Sequence, residues 1–276
     1  MRPTNEMRSA RESGRIAERS AAIRKRARDL GFQKVGIVSA DALLEERDRL
    51  EAWLRRGHHA EMTYLARDPE QRTDPRNIFP GARSVVVVAL NYYTPHQHGR
   101  VNAQGNQSGK ISRYAWGDDY HEIMGNKLRE LLDWIREQWV EAEGKVCVDI
   151  QPTMDKAWAV RSGLGWMGKH TNVIAQDYGS WIFIGELLLN LELTYDDKEI
   201  ADQCGSCTLC LDACPTGALV EPYVLNSNLC ISHATIESRA PEIPADLHRG
   251  QVANQHRRAV RRRAQHDVAD LTFVRE

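Results

Sequence analysis

The sequence predicts an α/β layered domain followed by a small cysteine-rich module. Up to Leu193, apolar strand-like runs alternate with amphipathic helix-like segments, a pattern typical of layered α/β architectures. Beyond that point five of the six cysteines lie between Cys204 and Cys230. The predicted boundaries are a disordered extension over residues 1–15, an α/β domain over 16–193, a cysteine-rich module over 194–249 and a basic tail over 250–276.

The elements of the first domain are predicted one by one from periodicity and turn residues. A helix over Ile16–Leu30 ends at Gly31, which tolerates positive φ. The run Trp181–Leu189 predicts a buried strand that passes into a turn at Gly185 and Glu186. The other predicted elements are strands at 34–38, 83–90, 146–150 and 172–175, helices at 40–56, 120–143 and 155–161, and an exposed loop at 93–109.

Composition excludes several classes of protein. The 37 basic and 38 acidic residues nearly balance, although residues 250–276 hold six arginines and three acids. Nucleic-acid binding would therefore need a local basic patch rather than bulk charge. No apolar run approaches the roughly 20 residues that span a bilayer. The clustered cysteines resemble thiolate ligands in a reducing compartment, so a cytoplasmic protein with no membrane partner is expected.

The cysteine spacing carries the most specific chemical signal. Residues 204–215 form a C-x2-C-x2-C-x3-C-P run, with Cys204, Cys207 and Cys210 spaced to converge on one iron–sulfur cubane and Cys214 directed to another cluster. A structural zinc site is the alternative, although zinc favours paired C-x2-C units. Cys230 is a candidate further ligand.

The ligand count is incomplete for two clusters. Two cubanes need about eight thiolates, and this region offers five. Three ligands are missing, to be filled by water, by another chain or by a segment that the sequence lacks. Cys147 lies in an apolar strand and is expected to be a buried small hydrophobic residue.

Several stretches together resemble one family, the cobalamin-dependent epoxyqueuosine reductases, which complete the queuosine modification at the tRNA wobble position. The matching segments are 113–121, 148–149, 161–169, 179–180, 185–187, the cysteine run through Ala218, and 230–232. The resemblance implies an α/β (α+β) cobalamin-binding domain similar to corrinoid reductive dehalogenases, followed by a ferredoxin-like iron–sulfur module. The segments lie within roughly residues 15–249.

The resemblance fails at the C-terminus. Family members carry a second cysteine motif soon after the segment that matches 236–250, and that motif supplies the three missing thiolates. Here an arginine-rich sequence follows Gly250. A truncated or frameshifted end is the favoured expectation, and a tRNA-binding basic helix is the alternative.

The resemblance also implies an oxidoreductase reaction with two cofactors, 4Fe-4S clusters and cobalamin. An epoxide is reduced to an alkene with two electrons and a proton for the departing oxygen. Asp149 is the candidate general acid and Asp155 the second choice. Because aspartate has an ordinary pKa near 3.9, the acid must be desolvated to donate near neutrality. The implied partners are a tRNA anticodon loop and an electron donor such as a flavodoxin or ferredoxin, and a monomer is expected.

Other residues carry weaker signals. The candidate cofactor contacts are Arg72, Arg113, Asp149, Lys169 and Ser180, although exposed arginines and ordinary turn glycines around Lys169 explain the sequence equally well. His121 is more simply a hydrogen-bonded histidine than an axial cobalt ligand. Trp116, Trp158 and Trp166 are expected to be core residues rather than platforms for RNA bases.

Two other functions stay open at this stage. A ferredoxin-like electron carrier needs the cysteines but not the long domain that precedes them. An inactive family member without a complete second cluster would hold fewer irons than the roughly eight of two cubanes.

Overall fold

The computed structural model describes residues 5–96, 112–196, 199–244 and 247. The predicted tail at 250–276 and most of the predicted loop at 93–109 lie outside them. The helices are α1 Asn5–Asp29, α2 Leu44–Arg55, α3 Pro69–Thr73, α4 Tyr120–Gln138, α5 Asp155–Arg161 and α6 Leu209–Asp212. The strands are β1 Lys34–Ser39, β2 Ser84–Asn91, β3 Gly144–Cys147, β4 Trp166–Met167, β5 Val173–Ile174, β6 Ile182–Leu189, β7 Leu219–Glu221 and β8 Val224–Leu225.

A four-stranded sheet forms the centre of the first domain. Its order is β1-β2-β6-β3, and every neighbouring pair is antiparallel. The two middle strands are almost wholly apolar because both of their faces are covered. The layered domain is therefore of the α+β type, with long helical connections between antiparallel strands.

Helices cover both faces of this sheet. Alternate residues of β6 point to opposite sides, so Leu187 and Leu189 pack with α1 and α4, whereas Leu188 packs with Trp158 of α5. Trp158 is 1% exposed, which agrees with its predicted place in the core. Cys147 is also fully buried, and burial raises the pKa of its thiol to about 12. It is a core residue, as the sequence predicts.

Three element predictions need correction. Helix α1 begins at Asn5 rather than Ile16, and its exposed residues 11–15 show that it extends without an apolar stripe there. Helix α4 ends at Gln138, where Trp139 takes an extended conformation. Strand β6 runs unbroken through Gly185 and Glu186, because the glycine makes room for core side chains of α4 and the glutamate is itself buried.

The cysteine-rich module packs onto the first domain through hydrogen bonds that involve backbone carbonyl groups. Trp53 of α2 donates its Nε1–H to the Leu225 carbonyl at 2.6 Å, and the Ser227 N–H donates to the His58 carbonyl at 2.9 Å. The Tyr223 N–H donates to the Lys169 carbonyl at 3.0 Å. Hairpin β7–β8 is thereby fixed against the end of α2. No helix in the described ranges has the length and apolarity needed to cross a bilayer.

Candidate functional site

Asp149 lies just beyond the end of β3, on a segment without regular secondary structure. Its φ of 53° is in the left-handed region, which non-glycine residues rarely occupy and which is common at functional sites. Tyr120, the first residue of α4, donates its hydroxyl to Asp149 Oδ2 at 2.7 Å, and His121 Nε2 lies 3.2 Å from the same oxygen. The side chain of Asp149 is still 59% exposed. Its carboxyl therefore faces open space while one oxygen is held in place.

His121 connects two carboxyl groups. Its Nδ1 lies 2.7 Å from Asp119 Oδ1, while its Nε2 faces Asp149. Its ring stacks on Tyr120 at 4.0 Å, and Tyr120 stacks in turn on Phe183 of β6 at 4.2 Å. Both imidazole nitrogens are engaged, which agrees with the hydrogen-bonded histidine and leaves neither nitrogen free as a cobalt ligand.

Glu186, which is buried, and Asp155, which is half-buried, form a pair of carboxyl groups on which the Asp149 charge acts. Glu186 is 0% exposed, and neither of its oxygens meets a hydrogen-bond donor in the described part of the chain. The Asp155 side chain approaches it within hydrogen-bond reach and also accepts from the Thr153 hydroxyl. Burial raises the pKa of Glu186 well above its ordinary value, and the nearby Asp155 and Asp149 charges raise it further. Burial likewise raises the pKa of Asp155.

The cysteine run forms a loop that opens into α6. The Cys204 N–H donates to Asp202 Oδ1 at 2.7 Å, the Cys207 N–H closes a turn onto the Cys204 carbonyl at 2.9 Å, and Gly205 has a φ of 47°. Burial of Cys214 opposes thiolate formation, but the backbone N–H groups around it outweigh burial and lower the pKa of the thiol. The described residues contain no group of three His, Cys, Asp or Glu side chains placed to hold a single metal ion.

Lys169 contacts the cysteine loop. Its ammonium, on a side chain that is 9% exposed overall, donates to the Gly205 carbonyl at 2.6 Å and to the Cys207 carbonyl at 2.8 Å. The sequence alone predicts Lys169 as a cofactor contact. Because these backbone partners lie 36 and 38 residues away, no local pattern reveals them. The structure thus places Lys169 with the iron–sulfur module.

The remaining candidates lie at separate places. Arg72 stacks over the Tyr64 ring at 5.4 Å and is close enough to Asp155 to interact with its charge. Arg113 lies over three rings, those of Tyr93, Trp116 and Trp181, at 5.2–5.7 Å, and its buried Nε has no hydrogen-bond partner among the described residues. The Ser180 carbonyl accepts from the Tyr92 hydroxyl at 3.4 Å, and its side chain has no assigned role.

Tyr120 and Glu186 are members of this site that the sequence does not single out. Tyr120 lies in the segment 113–121 that resembles the family, at the start of a predicted helix, but has no role of its own there. Glu186 gives a signal, because a carboxylate inside an apolar strand is costly unless it is protonated or paired. In the sequence alone it is interpreted as a break in the strand.

The α+β domain, its held carboxyl and the ferredoxin-type cysteine loop together define an iron–sulfur oxidoreductase. Two family models match the chain: Epoxyqueuosine reductase QueG at residues 72–150 and a 4Fe-4S double cluster binding domain at residues 203–254. The epoxyqueuosine reductase of Cellulophaga algicola is 46% identical over 218 residues, 79% of this chain and 69% of the relative. That of Synechocystis is 47% identical over 212 residues, 76% of this chain and 71% of the relative. The chain belongs to the epoxyqueuosine reductase family.

A solved structure supports the same relationship. A crystal structure of epoxyqueuosine reductase with an epoxyqueuosine-modified tRNA-Tyr stem loop superposes with a TM-score of 0.74 at 32% identity. The match covers 83% of this chain and 59% of that one. This chain therefore spans about three fifths of the solved reductase.

Proposed function

We propose that this protein reduces epoxyqueuosine to queuosine at the wobble position of tRNA. The observation that carries the proposal is the Asp149 carboxyl, held by Tyr120 and His121 and otherwise open, in a chain of this family. A relative of known structure binds a tRNA stem loop with the modified base. Because the chain spans only part of the solved reductase, the activity of the whole protein is part of this proposal.

Asp149 is the proposed proton donor to the epoxide oxygen. Tyr120 keeps its own proton, since burial raises the pKa of its hydroxyl and the Asp149 charge raises it further. The phenol is therefore a permanent donor that fixes one Asp149 oxygen. The second oxygen is left for the substrate. The 59% exposure of Asp149 means that the required desolvation comes from the bound substrate and cofactor.

The residues present suit the two proposed cofactors. The thiol groups in the cysteine loop provide soft sulfur donors for a 4Fe-4S cluster, with Cys204, Cys207 and Cys210 on one cluster and Cys214 and Cys230 directed to another. The Nε of Arg113, which has no hydrogen-bond partner in the described part of the chain, and the guanidinium of Arg72 suit the amide groups on the rim of cobalamin. Cobalamin supplies, when bound, a strongly reducing cobalt centre.

The remaining partners follow from this chemistry. One-electron carriers such as a flavodoxin or a ferredoxin are the proposed electron source, delivered through the cysteine module. Thiolate ligands and a tRNA substrate both favour the reducing cytoplasm as the place of action. We propose that the chain acts as a monomer.

The test is turnover of an epoxyqueuosine-containing tRNA stem loop by anaerobically reconstituted protein with cobalamin and a low-potential reductant. Asp149→Asn should lower kcat by roughly 10²–10⁴-fold, the usual contribution of a general acid. Asp133→Asn is the matched control, because that carboxylate is 70% exposed on α4 and pairs with Arg136. Full turnover by Asp149→Asn would refute the acid assignment. A wild-type protein that binds iron but neither cobalamin nor tRNA would instead be an electron carrier.

A further inference from the structure

Glu186 is a fully buried acidic residue that the proposed mechanism does not use. It lies at the centre of β6, opposite Val87 of β2 and Cys147 of β3, and is 0% exposed. An ionised carboxylate there would cost several kcal/mol without a cation or a donor. Among the described residues it has neither.

Asp155 explains how Glu186 can be buried without a cation or a donor. It is the first residue of α5, which packs on the face of the sheet to which Glu186 points. Two ionised carboxyls at hydrogen-bond distance repel, whereas one proton between them gives each a partner. The pair is stable only when it holds at least one proton. Burial supports this reading, because it raises the pKa of both groups.

The position of the pair connects it with the reacting centre. Asp155 follows Asp149 by six residues on the segment that leads from β3 into α5, and the Asp149 charge acts on both members of the pair. The ionisable groups facing the pair are Asp149, Tyr120, Arg72, Lys156 and Cys147. The Arg72 and Lys156 charges act on the Asp155 side, and the Cys147 thiol stays protonated.

The proton balance of the reaction shows why a store is needed. Converting an epoxide to an alkene breaks two C–O bonds, forms one C=C bond and releases the oxygen as water. It consumes two electrons, from the one-electron donor proposed above, and two protons. Asp149 carries one proton, so a second must reach the same oxygen before the water leaves.

We propose that the Asp155–Glu186 pair is a proton store that reprotonates Asp149 during each turnover. Asp149 protonates the epoxide oxygen and becomes a carboxylate, and the proton shared by Asp155 and Glu186 then passes to it for the second transfer. Solvent later refills the pair. Glu186 does not touch the substrate. It is a positioning residue that acts through Asp149, because it helps to hold the proton that Asp149 receives. The proposal rests on the proposed function for the use of the proton, but the stored proton itself does not depend on it.

The first arm of the test is infrared spectroscopy of the full chain without substrate. Wild-type protein at neutral pH should show the C=O stretch of a protonated carboxyl that shifts in D2O. Glu186→Gln should lose that band, whereas Glu192→Gln, a 61% exposed glutamate just beyond β6, should keep it. Absence of the band from the wild type would overturn the proposal. If Glu186→Gln does not fold, Asp155→Asn replaces it, since its amide donates to Glu186 and the band should again fall.

The second arm is turnover as a function of pH. Glu186→Gln should lower kcat by roughly 10–100-fold at neutral pH with KM unchanged, and the loss should shrink at acidic pH, where solvent reprotonates Asp149 readily. If Glu186→Gln loses the band but keeps the wild-type kcat, the proton is stored but not used. That result would overturn the proposed proton transfer to Asp149. A wild-type protein without turnover whose band disappears in Glu186→Gln would refute the proposed function but leave the store intact.

Discussion

At the residue scale, the site is built around the Asp149 carboxyl, which has two neighbours, Tyr120 and His121, with different roles. Tyr120 fixes one Asp149 oxygen through a hydrogen bond from a hydroxyl that stays protonated. His121 lies between Asp149 and Asp119 and is held by both carboxyls. Both residues come from the first turn of α4, so the start of this one helix positions the end of β3.

Tyr120→Phe tests the task assigned to the phenol. Hydrogen bonds to a charged group contribute about 1.5–3 kcal/mol, so loss of this one should lower kcat by at least about tenfold while KM stays the same. Single-turnover assays on the modified stem loop measure the effect. The control is Tyr195→Phe, whose hydroxyl donates to the Arg83 carbonyl at 3.1 Å, away from the site. A change in KM alone would show that Tyr120 serves binding rather than the acid.

Glu186 should also govern how stability depends on pH. The pKa of this buried carboxyl is raised in the fold, so above about pH 4.5 the unfolded chain releases a proton that the folded chain keeps. Stability is then highest below that pH and falls as the pH rises toward the folded-state pKa. Thermal unfolding of Glu186→Gln between roughly pH 5 and pH 8 should depend less on pH than that of the wild type. If the stability of the variant and that of the wild type change equally with pH, Glu186 is ionised in the folded protein.

At the scale of elements, the sheet and the helices are joined by close backbone contacts. A Cβ added at Gly36 of β1 would lie 2.4 Å from the Ser162 carbonyl oxygen, at the end of α5. No rotation of a side chain relieves a contact with backbone. This glycine therefore sets the distance at which α5, and with it Asp155, packs on the sheet.

Gly36→Ala should destabilise the fold by about 1–3 kcal/mol, the usual cost of overpacking a core. Gly14→Ala makes the same chemical change on exposed α1, where nothing lies within 4 Å of the added carbon. It should stabilise the protein by roughly 0.5–1 kcal/mol through helix propensity. Urea unfolding of the two variants measures both values. If the free energy of unfolding changes in the same direction in both variants, the Gly36 contact does not limit packing.

Helix α5 shows how far the sequence alone predicts such elements. Its bounds, Asp155–Arg161, match the prediction because its apolar period and flanking turns are local signals. The start of α1 at Asn5 was missed because exposed helices need no apolar period. The cysteine ligands and Asp149 are predictions from motif and family resemblance. The Asp155–Glu186 pair and the partners of Lys169 are not predictable in this way, since they depend on tertiary contacts between distant residues.

At the scale of the whole molecule, electron supply depends on how many thiolates the chain offers. The sequence has six cysteines, and Cys147 is buried in the core with a pKa raised to about 12. Five remain in the cysteine module. Cys204 and Cys207 lie in the loop that the ammonium of Lys169 fastens to the first domain, and Cys210 follows in the first turn of α6. They supply three of about four ligands for one cubane, whereas Cys214 and Cys230 supply only two for a second, so this ligand set favours the first cluster alone.

Anaerobic reconstitution should therefore load about four irons per chain, one cubane, rather than the eight of two. Cys207→Ser removes a ligand from the centre of the loop and should abolish the brown colour and most of the iron. Cys147→Ala is the matched control: it removes a thiol that is buried in the sheet, so iron content should stay at the wild-type value even if stability falls. Iron and sulfide analysis with electron paramagnetic resonance of the reduced protein measures both. Eight irons in the wild type would require ligands from beyond this chain, and iron retained by Cys207→Ser would remove the loop from the cluster.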